Sequence, residues 1–198
     1  INKSPGVAFG NFSHSFIVHV DNKTNKAQTI EAYVGKSVDK YDISFALRNE
    51  NVRLMVLRPR DKDLAERAAN TALDLVSTKA LYDYALDFED PSELSCVEVL
   101  TESFKRASDK EIRVPFLPAK LDHKNSEFIE RMNLKNGELI TPDDLEIDPR
   151  FELVLDWKDG RLIRNSRYKD AVLSEVVRWS NDHHYSFHST VKTFMATN

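Results

Sequence analysis

The order of the periodic segments constrains the fold of this chain more than any other feature. Strand-like patterns occupy 13–20, 29–34 and 52–59, and the first long helical pattern follows at 61–79. A polar stretch separates the first two strands and predicts a β-hairpin. Strands that occur in runs, rather than in strict alternation with helices, favour an α+β fold with a central antiparallel sheet packed by helices.

Two segments have the apolar spacing of amphipathic helices. In the segment 61–79, Asp63 is followed three residues later by Glu66, which suggests a capping box at its start. Its apolar stripe consists of Leu64, Ala68, Leu73 and Val76. The second predicted helix spans 96–108 and carries Val97, Leu100 and Phe104 at helical spacing.

The second half of the chain has a different character. Residues 112–149 contain four prolines and a Lys-Asn-Gly turn signal, which predicts a long irregular insertion of the kind that covers a functional surface. As a lid or substrate wall, it offers the apolar side chains of Phe116, Leu117, Phe128 and Met132. For 150–198 we expect a hairpin of 151–157 and 161–167, followed by a helix over about 168–181.

Composition excludes several classes of function. The net charge is −4 and the pI is about 5.9, so overall electrostatics do not favour nucleic acid or an anionic membrane surface. No apolar run approaches the roughly 18 residues of a transmembrane helix. Phosphate-binding and metalloprotease motifs are absent.

The chain opens on Ile1, so we expect the natural start, with any signal or lipid anchor, to be missing.

Cys96 is the only cysteine, and it stands at the predicted start of the second helix. A thiol in the first turn of a helix faces unpaired backbone N–H groups and the positive end of the helix dipole, both of which favour the thiolate. The same groups can donate to an oxyanion. The alternative interpretation is an inert buried cysteine, because free cysteine is among the most buried residue types.

A cysteine nucleophile needs a base, and the base needs an orienting group. His14 is predicted just inside the first strand, on the face of Phe16 and Val18, from which it can meet Cys96 at the edge of the sheet. Glu31 lies in the adjacent strand and can accept the second N–H of the imidazole. A structural histidine and an exposed strand glutamate are the alternative interpretations.

Two other histidines have the spacing of a metal site. His184 and His188 lie four residues apart, but no further ligand stands at a motif spacing. We therefore interpret them as part of a polar C-terminal tail, and the sequence predicts neither a metal nor a cofactor.

Residues 81–104, LYDYALDFEDPSELSCVEVLTESF, resemble the cysteine motif of circularly permuted NlpC-type papain-like enzymes, the YiiX-like group. FSHSFIVHV at 12–20 is similar to the histidine strand of that family, and TIEAYVGKSVDKYDISFAL at 29–47 to the strand that follows it. LITPDDLEIDPRFELVLDW at 139–157 resembles the segment that closes many members. The order histidine, acidic residue, cysteine is the reverse of that in unpermuted papain relatives.

The resemblance implies one permuted papain-like domain over residues 1–198, with a truncated N-terminal strand. It implies that Cys96 is the nucleophile, His14 the general base and Glu31 the residue that orients the imidazole. It also places Tyr82, Val97 and Ser13 next to the substrate or the oxyanion. Val97 replaces the usual serine of the family.

The leading hypothesis is a cysteine hydrolase that cleaves an amide or ester bond through a thioacyl-enzyme. A lipid acyltransferase with the same dyad and a non-catalytic papain-like binding module are the alternatives. The expected substrate is a small molecule, a peptide or a lipid acyl group, whereas the oligomeric state stays open. The resemblance favours the bacterial cell envelope or secretion, and a cytoplasmic location is the other possibility.

Overall fold

The structure is a computed structural model that describes residues 12–47, 51–84, 86, 88, 90–110, 112–114, 119–120, 130 and 138–183. Its described elements form antiparallel sheets and helices, so the α+β class predicted from the sequence is confirmed. The parts that position the candidate site are a three-stranded sheet and two helices packed against it.

The three-stranded sheet consists of β1 (Ile17–Asp21), β2 (Lys26–Glu31) and β3 (Asp39–Asp42), in the order β1-β2-β3 and antiparallel throughout. The predicted hairpin of the first two strands is confirmed, and its register pairs Ile17 with Ile30. At the turn, the carboxylate of Asp21 accepts hydrogen bonds from the backbone N–H groups of Lys23 and Thr24. A one-turn helix, α1 (Ile43–Ala46), follows β3.

The predicted helix at 61–79 is confirmed as α2 (Lys62–Thr78), but its cap is not the predicted one. Asp61 is the N-cap residue, and its side chain accepts from the N–H of Leu64 at 3.0 Å. The helix therefore begins one residue before Asp63, which lies inside the first turn. The most deeply buried residues of α2 are Leu64, Ala68, Ala72 and Leu75.

The second predicted helix is confirmed as α3 (Cys96–Ala107), and Cys96 is its first residue. Ser95 and Glu98 form a reciprocal capping box: the N–H of Ser95 donates to Glu98 at 2.7 Å, and the N–H of Glu98 donates to the Ser95 hydroxyl at 3.4 Å. This box fixes the residue at which the helix starts. One core of the molecule joins the sheet to α2 and α3 and includes Ile30, Ala32, Val38, Leu75 and Val99.

A second, two-stranded sheet joins distant parts of the chain. The strand β4 (Arg53–Pro59) pairs antiparallel with the last strand, β7 (Phe151–Lys158), with an irregularity between Val56 and Leu57. Both strands were predicted, but the sequence placed the last one in a local hairpin with 161–167.

That predicted hairpin is wrong, because residues 161–167 are helical. The helix α4 spans Gly160–Asp182, so the predicted helix at 168–181 is its second part. Asp159 explains the difference, since its carboxylate accepts from the N–H groups of Arg161 and Leu162 and so begins the helix. Lys-Asp-Gly, interpreted from sequence as a hairpin turn, is thus a helix start.

Only part of the predicted insertion at 112–149 is described. It includes the two-residue strands β5 (Ala119–Lys120) and β6 (Glu138–Leu139), which pair with each other, and a 3-10 helix over Pro142–Leu145. The four apolar residues proposed as lid contacts lie outside the described residues, as do His184 and His188. Among the described helices, none is long and apolar enough to cross a membrane.

Candidate active site

Three chain segments converge on Cys96. The pairing of Ile17 with Ile30 sets the residues before β1 beside the end of β2, where Glu31 is the last residue. His14 precedes β1 and reaches Glu31 across this edge. Because α3 packs on β2 and starts at Cys96, the thiol comes to the same place.

His14 and Glu31 form a short hydrogen bond, and Thr29 binds the same carboxylate. Nε2 of His14 donates to Oε2 of Glu31 at 2.6 Å, and the hydroxyl of Thr29 donates to the other carboxylate oxygen at 2.6 Å. The Glu31 side chain is 0% exposed, whereas that of His14 is 30% exposed. Burial alone raises the pKa of Glu31, but the hydrogen bonds from His14 and Thr29 and the charge of His14 outweigh it and lower the pKa below its ordinary value.

His14 also interacts with the thiol of Cys96, since hydrogen bonding and charge between the two side chains contribute to the pKa of each. Because Nε2 is bound to Glu31, Nδ1 is the nitrogen left for the sulfur. Ser15 also contacts Cys96, since its hydroxyl donates to the Cys96 carbonyl at 3.1 Å. Cys96 itself is 6% exposed.

The electrostatics of this pair favour charge separation. Burial opposes the thiolate, but the hydrogen bond and charge of His14, together with Ser15, lower the pKa of Cys96 below its ordinary value. Burial also opposes the imidazolium, yet the hydrogen bonds to Cys96 and Glu31 raise the pKa of His14 to about 9. Both shifts favour a thiolate beside an imidazolium, which is the reactive form of a cysteine nucleophile.

His14 reaches this position by a route that differs from the predicted one. Strand β1 begins at Ile17, so the prediction that His14 lies just inside the strand is wrong. The predicted inward face is wrong too, because Val18 and Val20 are 39% and 46% exposed while Ile17 packs on the core. The irregular segment before the strand, rather than strand parity, carries His14 to the thiol.

The other three predicted site residues occupy different surroundings. Tyr82 is partly buried, and burial together with the negative charge of Cys96 raises the pKa of its hydroxyl. Val97 is 6% exposed and therefore packs within the protein rather than facing an open surface. Ser13 is exposed, next to His14 in the chain.

A buried pair of acids beside Cys96 was missed from the sequence. Asp83 and Glu98 are each 3% exposed, and their side chains are hydrogen-bonded to each other. Burial and the neighbouring charge of Asp83 raise the pKa of Glu98 to about 7, although the hydrogen bonds from Ser95 oppose the shift. The Ser-x-x-Glu spacing at 95–98 is a capping-box signal and could have identified Glu98. No local signal identifies Asp83 as its partner.

Comparison with known proteins bears on the fold. The crystal structure of the metalloprotein YiiX from Escherichia coli O157:H7 superposes with a TM-score of 0.56 at 18% sequence identity. The match covers 75% of this chain and 85% of that one. This chain has a YiiX-like fold. The low identity means that the likeness to YiiX concerns the fold alone. No protein-family model matches the chain, and no curated protein matches it.

Proposed function

We propose that this protein is a cysteine hydrolase that cleaves an amide or ester bond through a thioacyl-enzyme. The observation that carries the proposal is the position of His14, which bonds to the thiol of Cys96 on one side and to the buried carboxylate of Glu31 on the other. A nucleophile, a base and a group that orients the base are the parts that such chemistry needs.

In the first half-reaction, the thiolate of Cys96 attacks the substrate carbonyl carbon and forms a tetrahedral oxyanion. Cys96 is the first residue of α3, and N–H groups in the first turn of a helix have no intrahelical partners, so they are suited to stabilise this oxyanion. When the intermediate collapses, the imidazolium of His14 gives its proton to the leaving amine or alcohol, and a thioester to Cys96 remains.

In the second half-reaction, neutral His14 takes a proton from water, and the resulting hydroxide attacks the thioester. The acid is released and the thiol of Cys96 is restored. An acyltransferase would use an alcohol or amine in place of water at this step, so it shares the dyad and the thioester. The acyl donor is a small molecule, a peptide or a lipid acyl group.

We also propose that the domain is a circularly permuted papain-like domain of the NlpC type. The YiiX-like fold supports a common architecture. The chain order His14, Glu31, Cys96 supports the permutation, because unpermuted papain relatives place the cysteine first. Residues 112–149 are proposed as the lid of this domain.

The related crystal structure is described as a metalloprotein. Among the described residues of this chain, no group of three histidine, cysteine, aspartate or glutamate side chains could hold a metal ion. In the proposed function, Cys96, His14 and Glu31 act in acyl and proton transfer.

Alkylation of the native protein with iodoacetamide at about pH 6 tests the proposal, because Cys96 is the only thiol and every label reports on it. An ordinary thiol has a pKa of about 8.5 and is almost fully protonated at this pH. We expect rapid labelling of the wild type and a loss of roughly tenfold or more in His14→Ala, since each unit of pKa changes the thiolate fraction about tenfold.

His19→Ala is the matched control. His19 lies in β1 and is not one of the groups that lower the pKa of the Cys96 thiol. It should leave the labelling rate unchanged. A thiol that reacts only after denaturation would contradict the enzyme proposal. Intact-protein mass after incubation with peptide amides and lipid esters then identifies the acyl class, with Cys96→Ser as the variant that cannot form the thioester.

A further inference from the structure

Tyr33 contacts both His14 and Glu31. Its ring is stacked on the imidazole of His14, with 4.9 Å between the ring centroids and 16° between the planes. Its hydroxyl is hydrogen-bonded to the carboxylate of Glu31, which helps to lower the pKa of that acid. One side chain therefore contacts the base through its ring and the orienting carboxylate through its hydroxyl.

The ring of Tyr33 is itself fixed by a group of aromatic side chains. Tyr41 of β3 and Phe45 of α1 pack against it in T-shaped arrangements, with centroid distances of 5.4 Å and 5.8 Å. Tyr41 and Phe45 are also stacked on each other at 5.2 Å. Edge-to-face packing of this kind restricts the rotation of a ring. The orientation of Tyr33 is thus set by two further elements of the fold.

We propose that Tyr33 is a positioning residue of this site, whose ring holds the imidazole of His14 in the orientation that faces Cys96 and whose hydroxyl holds the carboxylate of Glu31. The inference rests on the proposed function and adds a positioning residue to the three residues predicted to be catalytic. It assigns a separate task to each part of the side chain.

The two tasks have different physical effects. The face of an aromatic ring attracts a cation, so the stacked ring stabilises the imidazolium relative to neutral imidazole. The hydroxyl donates to a carboxylate and stabilises its ionised form. Tyr33→Phe keeps the ring and removes the donor, whereas Tyr33→Leu removes both.

NMR titration separates the two tasks, and the Cys96→Ser background removes any influence of the thiolate. In Tyr33→Phe we expect the midpoint of His14 to stay within a few tenths of a pH unit while the midpoint of the Glu31 carboxyl rises. In Tyr33→Leu we expect the midpoint of His14 to fall by about one unit as well, as a cation–π contact of ordinary strength implies.

Tyr41→Phe is the control, because the Tyr41 ring belongs to the same aromatic group but its hydroxyl is not among the donors that stabilise Glu31. It should leave both midpoints unchanged. Equal shifts in Tyr41→Phe and Tyr33→Phe would mean that loosening of the aromatic group is the cause, and would overturn the inference. An unchanged His14 midpoint in Tyr33→Leu would also overturn it.

In the protein with Cys96 intact, the pH profile of alkylation adds a readout of the thiol. A positioning role predicts that Tyr33→Leu moves the midpoint of thiolate formation upward by about one unit, with the same limiting rate at alkaline pH. A merely structural role would change the limiting rate through altered access to the sulfur and would contradict the inference. Because the His14 titration is read without Cys96, it tests Tyr33 even if the wild-type thiol proves unreactive and the proposed function fails.

Discussion

Two buried glutamates lie close to Cys96, and their pKa values are shifted in opposite directions. Glu31 is 0% exposed and Glu98 is 3% exposed, so burial acts against the charge of both. The partners of Glu31 are a cation and two donors, His14, Thr29 and Tyr33, and its pKa is lowered. The partner of Glu98 is a second acid, Asp83, and its pKa is raised to about 7. Burial is the largest cause of the raised pKa of Glu98 and is reinforced by Asp83, whereas at Glu31 the hydrogen bonds and the neighbouring cation outweigh burial.

The two shifts have opposite consequences for stability. A lowered pKa in the folded state means that Glu31 contributes stability that is present above the unfolded-state pKa and is lost as the pH falls. A raised pKa means that Glu98 contributes stability that is complete below its unfolded-state pKa of 4.5 and is lost as the pH rises through about 7. Mutations at each site should therefore produce opposite pH profiles.

The largest effect is expected for Glu31→Ala. It removes the acceptor of three side chains and leaves His14 without its anionic partner, and breaking a buried ion pair costs about 3 kcal/mol or more. The free energy of unfolding at pH 7, from urea denaturation, should fall by about that amount, and alkylation of Cys96 at pH 6 should slow at least tenfold. Glu31→Gln keeps one acceptor oxygen and should lose less stability but as much reactivity. An unchanged alkylation rate in both variants would mean that Glu31 does not act on the thiol.

The second effect is the pH dependence contributed by Glu98. A carboxylic acid can share a proton with Asp83, but two carboxylates repel each other, so the wild type should lose about 2 kcal/mol of stability between pH 5 and pH 8 through this pair. Glu98→Gln keeps an oxygen for the N–H of Ser95 and an amide that donates to Asp83, so it should remove most of that loss. Urea denaturation at the two pH values measures it. Parallel profiles for the two proteins would contradict the assignment of Glu98 as the proton-holding acid.

The sequence could predict those parts of this arrangement that have local signals. The start of α3 at Cys96 follows from the proline-broken acidic loop and the apolar spacing after it. The hairpin of β1 and β2 follows from two β-rich segments around a polar turn. Both are decided by neighbouring residues, and the structure agrees with both.

The rest depends on contacts between segments that are distant in the chain. The pairing of β4 with β7 competes with a local hairpin, and no turn signal distinguishes the two. Asp83 and Glu98 become a pair only when the loop before Cys96 packs on α3. The stacking of Tyr33 on His14 likewise requires the end of β2 to lie beside the segment before β1. The strand pattern predicted that His14 and Glu31 could meet Cys96 but left a structural histidine and an exposed glutamate as alternatives, and the resemblance to a known family favoured the catalytic interpretation.

A smaller effect on stability is expected when an N-cap is removed, and it can be compared with the influence of the cap on the Cys96 thiol. Ser95→Ala removes the acceptor of the Glu98 N–H, and Asp61→Ala removes the equivalent acceptor at the start of α2. Each should lower the free energy of unfolding by about 1 kcal/mol, the ordinary cost of an N-cap. Only Ser95→Ala should also change the alkylation profile of Cys96, because only that cap fixes the turn that carries the sulfur. Equal profiles in the two variants would show that the capping box supports the helix without influencing the thiol.

The smallest effect is expected at a third glutamate, Glu102, which lies on α3 together with Glu98. Glu102 pairs with Lys105 at 3.0 Å and with Arg106 at 2.7 Å, and these cations outweigh partial burial and lower its pKa. Both cations are partly exposed, and exposed pairs at helical spacing contribute about 0.5 kcal/mol or less. Glu102→Gln should therefore change the urea midpoint only slightly at pH 5 and at pH 8, and should leave the alkylation of Cys96 unaffected. A pH-dependent loss as large as that assigned to Glu98 would mean that α3 as a whole, rather than the buried acid pair, carries the titration.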